Sequence, residues 1–130
     1  MERIVDPAAV ALWGRAGTVE SAEGIVDLAP DTEDEWLLAE NEAAVVAEAG
    51  NLLLMPDRVR KLNDKDADWT RYARQLTERA LAVKTATALR NKEQMFDTGG
   101  KLYEVCVACH EKYYIPFLEE DESTAAPRAK

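Results

Sequence analysis

FDTGGKLYEVCVACHEKYY, residues 96–114, returns its apolar and aromatic side chains every three or four positions. Carried back by one residue, this register lines up Met95, Phe96, Gly99, Leu102, Tyr103, Cys106, Cys109, His110 and Tyr113 on one side of a helix. The spacing predicts a helix over 91–114, limited by Pro116. Alternating Val/Ile/Thr runs are nearly missing, while Ala, Leu, Glu, Lys and Arg dominate. The fold class expected is therefore all-α.

Three further helices are read outward from this one. The register of Trp69, Tyr72, Ala73, Leu76, Ala80, Val83 and Thr87 predicts a helix over 66–89. Thr32 and Glu35 have capping-box spacing, so a helix opens there and runs to about Ala49, stopped by Gly50. Asp6 as N-cap, Pro7 at the first helical position and Gly17 as a stop predict a helix over at least 7–16. Segments 17–31 and 51–65 read as connections, the second partly apolar around Pro56. Four such helices most simply make an antiparallel four-helix bundle over residues 1–118, followed by an acidic mobile tail at 119–130. Ala39, Ala43 and Ala47 suit close contact between helices or leave room for something bulky in the core.

At 130 residues the chain is one domain, and 47% hydrophobic with 32% charged residues fits a soluble globular protein. No apolar run approaches the roughly 18 residues that span a bilayer. The net charge of −9 leaves no cationic surplus to neutralise phosphates, which argues against nucleic acid as a partner. The charge is segregated: residues 1–50 hold twelve acids against Arg3 and Arg15, and residues 58–92 hold ten bases against four acids. Such a polarity can orient a molecule against a charged protein partner, or be no more than a solvated surface.

Both cysteines and the only histidine fall within five positions, as Cys106, Cys109 and His110 in a CxxCH motif. With the histidine fixed, roughly eight thousand placements of two cysteines exist and one gives this pattern, so chance explains it poorly. On a helix the three residues stand at i, i+3 and i+4 and project from one side. Covalent haem attachment uses that arrangement: two thiols reach the two vinyl groups and the imidazole takes the iron. A structural zinc site needs four ligands, so zinc would require a carboxylate or a second subunit to complete it. A redox CxxC is normally set at a helix N-terminus after a strand, where the dipole lowers the thiol pKa; here it lies near a helix end. In the haem reading Leu102, Tyr103, Phe96 and Tyr113 form part of an apolar wall, with Trp69 and Tyr72 either touching the haem or simply packing in the core with Trp13 and Trp36.

A CxxCH near the C-terminus of a four-helix chain resembles the class II c-type cytochromes, the cytochrome c′ family and its low-spin relatives. IVDPAAVALW at 4–13, DTEDEW at 31–36, AEAGNLLLMP at 47–56 and residues 96–114 are also similar to a cytochrome c′-like branch. The resemblance implies one covalent haem c, with Cys106 and Cys109 as thioether cysteines and His110 as proximal ligand. It loosely matches Lys112 to a basic residue often found after that histidine. Class I cytochromes c do not fit, because only about twenty residues follow His110.

The resemblance also frames the distal side. In high-spin members an apolar residue of the first helix covers a vacant site that binds small gases; in low-spin members a methionine of that helix ligates the iron. Met1, six residues before Pro7, is the matching candidate, and its alternative is a frayed terminus. Met55 is the second candidate, otherwise a plug for an apolar gap; Met95 is expected in the core. With neither ligating, Val10, Leu12 or Trp13 would wall an open pocket. Arg58, Arg60, Arg71 and Arg74 are candidate partners for haem propionates.

The expected function is that of an exported, periplasmic monohaem cytochrome that passes single electrons between redox protein partners and is not an enzyme; no distal histidine is present for peroxidase chemistry. The alternative is a five-coordinate protein that binds nitric oxide or carbon monoxide. Haem is attached outside the cytoplasm and MERIVDPAAV lacks a signal pattern, so the chain is expected to be a mature or trimmed form. A homodimer through the first two helices, as the resemblance implies, or a place in a larger assembly are the expected higher states.

Overall fold

The computed structural model describes residues 1–59 and 66–115. Among them the chain is mostly helical, with α1 at Val5–Trp13, α2 at Glu33–Leu53, α3 at Asp66–Ala88 and α4 at Lys92–Tyr113. Between α1 and α2 lies an antiparallel pair of short strands, β1 at Thr18–Ser21 and β2 at Gly24–Asp27, and a 3₁₀ turn at Pro56–Arg58 follows α2. Pro116, Arg60, the boundary at 118 and the tail at 119–130 lie outside the described residues.

The hairpin corrects the reading of 17–31 as a plain connection in an all-helical chain. Its strands are four residues each, too short to show an alternating run, yet β-branched pairs at Thr18-Val19 and Ile25-Val26 supply the propensity. Gly17 and Gly24, at φ 86° and 130°, supply the turns that other residues resist. The Leu28 amide closes the base by donating to the Gly17 carbonyl at 2.9 Å.

Two helix limits also differ from expectation. α1 starts at Val5, so Pro7 is its third residue, and Asp6 does not cap it; the Met1 carbonyl instead accepts from the Ile4, Val5 and Asp6 amides. α2 opens on the expected capping box, Thr32 accepting from the Glu35 amide while the Glu35 carboxylate accepts from the Thr32 amide. It then passes through Gly50 to Leu53. Gly50 is there for space: an added Cβ would stand 2.0 Å from the Thr77 Oγ1 and 2.5 Å from the Ala73 carbonyl oxygen. Two helix backbones meet at that point, and the Thr77 hydroxyl donates to the Ala47 carbonyl at 2.8 Å.

The core joins Ala39, Ala43, Val46 and Ala47 of α2 to Ala73, Leu76, Ala80 and Val83 of α3, with Leu12 of α1 and Met95 and Leu102 of α4. Small residues on α2 let α3 approach closely, as the alanine spacing predicts. Ion pairs run alongside: Lys84 with Glu40 at 3.1 Å, Arg90 with Glu33 at 2.8 Å and Arg15 with Glu42 at 3.0 Å. Arg90 turns the chain from α3 into α4 at φ 56°, a conformation unusual for a side chain with a Cβ. Its guanidinium donates to the α3 carbonyls of Thr87 and Ala88, satisfying acceptors that the helix end leaves open.

The inner face expected for α3 is seen, with Trp69 and Tyr72 only half-buried. On α4, Met95, Gly99, Leu102 and Tyr113 are buried, but Phe96 and Tyr103 are 59% and 56% exposed. They flank the buried stripe of α4. There Trp13 lies edge-on to Tyr103, with ring centroids 6.0 Å apart, and over Gly99.

Candidate functional site

Cys106, Cys109 and His110 lie in the last two turns of α4, and the helix brings them to one side as their spacing requires. The two thiols are half-buried, Cys106 packing against the core, whereas the His110 imidazole reaches the surface. Burial pushes the Cys106 thiol up from its ordinary value, and burial with the neighbouring Cys106 charge pushes Cys109 up to about 11. Both sulfurs are therefore neutral near pH 7, unlike the activated thiolate of a dithiol oxidoreductase. The imidazole has no hydrogen-bond partner among the described residues; its ring lies 5.4 Å from that of Tyr114.

A clasp to α3 and α2 fixes this end of α4. Tyr113, one turn beyond Cys109 and buried, stands edge-on to Trp69 at 5.0 Å and to Tyr72 at 6.3 Å. The Trp69 indole N–H donates to the Leu53 carbonyl at 2.7 Å, tying the start of α3 to the end of α2. Lys112 pairs with Asp68, and Arg71 pairs with the same carboxylate at 3.2 Å while lying over the Tyr72 ring. Hydrogen bonds from Lys112 and then Arg71 hold the Asp68 carboxyl below its usual range. Trp69 and Tyr72 thus meet the cysteine-bearing end of α4 through Tyr113. Lys112 and Arg71, singled out as cations near the histidine or for propionates, are paired with Asp68. That carboxylate had no distinguishing mark in the sequence beyond its place one helix away.

The remaining candidates are scattered. Met1 and Met55 are 51% and 49% exposed, and Met95 is core. Leu12 is buried, Val10 is exposed, and Trp13 sits on Gly99. Arg58 and Arg74 are exposed. Among the described residues no three His, Cys, Asp or Glu side chains are grouped to hold a metal ion. Two thiols and one imidazole on a single helix face are the donor set that covalent haem attachment asks of a chain.

An open cleft of about 240 Å³ lies at the other end of α4, lined by Gly17, Thr18, Asp27, Lys92, Met95 and Phe96 among others. Sequence reasoning missed it because the hairpin that forms one wall was read as a connection. Among the described residues no helix is long and apolar enough to cross a membrane. No protein-family model, curated protein or solved structure matches the chain.

Proposed function

We propose that this chain is a monohaem c-type cytochrome of the class II kind, an exported one-electron carrier between redox protein partners. The observation that carries the reading is the placement of Cys106, Cys109 and His110 on one side of α4, with both thiols half-buried and the imidazole exposed. In this reading the neutral, desolvated thiols of Cys106 and Cys109 would hold haem c through thioether bonds, and the His110 imidazole would bind its iron. The bound group supplies one-electron Fe(III)/Fe(II) chemistry. The chain's part is to hold the attachment face still: the Tyr113, Trp69 and Tyr72 contacts and the Asp68 pairs with Lys112 and Arg71 pin α4 behind it. We further infer an antiparallel bundle, supported by α2 and α3 pairs that run in opposite order, Glu33 with Arg90, Glu40 with Lys84 and Gly50 with Ala73.

A second reading, gas binding at an open sixth position, is favoured by the exposure of both candidate distal methionines.

The test is expression of the exported chain together with a haem-attachment apparatus that matures a control cytochrome. One covalently held haem, resistant to acidified solvent and lost in the double variant Cys106→Ala, Cys109→Ala, is the expected result. A haem-free chain with two titratable thiols beside a matured control overturns it. Carbon monoxide added to the reduced protein separates the two readings: an immediate spectral change favours the open site, and none favours a bound methionine. Met1→Ala and Met55→Ala then identify which methionine is bound.

A further inference from the structure

The hairpin buries nothing. All eight residues of β1 and β2 are exposed, including Val19, Ile25 and Val26 at 48%, 71% and 56%. A two-stranded hairpin is marginal by itself in water, and three strands or a covering layer are the usual minimum. The bond from Leu28 to Gly17 closes its base, so the paired register turns the amides and carbonyls of Val19, Ser21, Gly24 and Val26 inward. Those of Thr18, Glu20, Ile25 and Asp27 therefore face outward along two open edges. Among the described residues they have no backbone partner, which is the condition for adding a strand from another chain.

Charge and shape say which strand. Residues 16–57 contain eleven acids and no lysine or arginine, and the hairpin itself carries Glu20, Glu23 and Asp27. Lys92 reaches back to Asp27 and Asp31, but no lysine or arginine among the described residues reaches Glu20 or Glu23. A second copy of the hairpin would oppose acid to acid across the new pairing, so self-association is disfavoured. At the hairpin's base the cleft of about 240 Å³ opens between Thr18 and Asp27 on one side and Met95 and the exposed Phe96 on the other; its two cations, Arg15 and Lys92, are paired with Glu42 and with Asp27 and Asp31. It has room for one aliphatic or aromatic side chain.

We propose that the β1–β2 hairpin and the cleft at its base dock a cationic, extended segment of a partner protein. The segment adds as a third strand and seats one apolar side chain between Phe96 and Met95. Phe96 and His110 are separated by about 21 Å of helix, so this partner is held at the end remote from the cysteine face. The inference is independent of the haem proposal.

The test uses the full chain and two labelled peptides. One alternates lysine with valine around a central leucine; the other has the same charge, with prolines replacing two valines. The alternating peptide binds and perturbs the amide resonances of residues 18–27, and the proline peptide binds about tenfold more weakly because it cannot pair along an edge. The exposed double reversal Glu20→Lys, Glu23→Lys weakens binding by about tenfold or more. Phe96→Ala weakens it by several-fold, while far-UV circular dichroism shows both variants folded. Equal binding of the two peptides, no binding, or resonance shifts that appear on self-association without peptide would each overturn the proposal. The chain with Cys106→Ala and Cys109→Ala binds the peptide as the parent does, so failure of the haem reading and failure of this one are separate results.

Discussion

A thiol that sits half out of water is held in its neutral form, and Cys109 carries that effect to a pKa of about 11. In haem-free chain, its thiolate fraction at pH 8 is then about one in a thousand, against about one in ten for a thiol at 9. Alkylation by iodoacetamide is expected to run about a hundredfold slower than for a free cysteine and to accelerate as pH rises toward 11. A rate at pH 8 equal to that of a model thiol would refute this burial. Because the folded pKa lies above the ordinary thiol value of 9.0, the contribution to stability is fully present below that value and is lost as pH rises through about 11. Urea midpoints of the haem-free chain should fall between pH 9 and 11, and less so in Cys109→Ala.

At the scale of elements, Gly50 shows how one residue type serves two purposes. A glycine after a run of helix formers reads as a stop, and here it is the point where α2 and α3 backbones meet. Gly50→Ala gains about 1 kcal/mol of helix propensity and forces a Cβ into the Ala73 carbonyl and the Thr77 hydroxyl. Overpacking of this kind costs about 1–3 kcal/mol, so a net loss is expected in chemical denaturation; Thr77→Ala in the same chain relieves only part, because the carbonyl stays. A stabilised Gly50→Ala would mean that the helices part easily there. Thr32→Ala, which removes half of the capping box, should cost about 1 kcal/mol in the same assay. That box was legible from Thr32 and Glu35 alone, since a cap is a local bond with a fixed spacing, whereas helix contact at Gly50 is a property of two distant segments.

For the molecule as a whole, the helical core and the hairpin are separable. Replacing residues 18–26 with a short Gly/Ser loop keeps the closure between Gly17 and Leu28 and the Asp27 pair with Lys92, and removes only exposed side chains. Surface changes of this sort stay within about 0.5 kcal/mol, so the thermal midpoint should move by about 4 °C or less, followed by circular dichroism. A large drop would show that the hairpin covers core after all. The polarity seen in the charge count becomes spatial: cations of later segments, Arg90, Lys84 and Lys92, come back onto acids of α2 and its approach, leaving the hairpin tip negative.

The sequence by itself determined the four helices, the inner faces of α3 and most of α4, and the three-residue cluster on one side of α4. Each rests on periodicity or spacing within one segment, and the helix repeat turns spacing directly into a shared face. Only the tertiary structure decided which flanking aromatics are covered: the repeat puts Phe96 and Tyr103 on the inner side, and their exposure depends on what packs over them. It alone brought Asp68 to Lys112 and Trp69 to Tyr113, and it alone made Gly50 a contact rather than an end. Those are meetings between segments far apart in the chain, set by how backbones pack, and no local pattern encodes them.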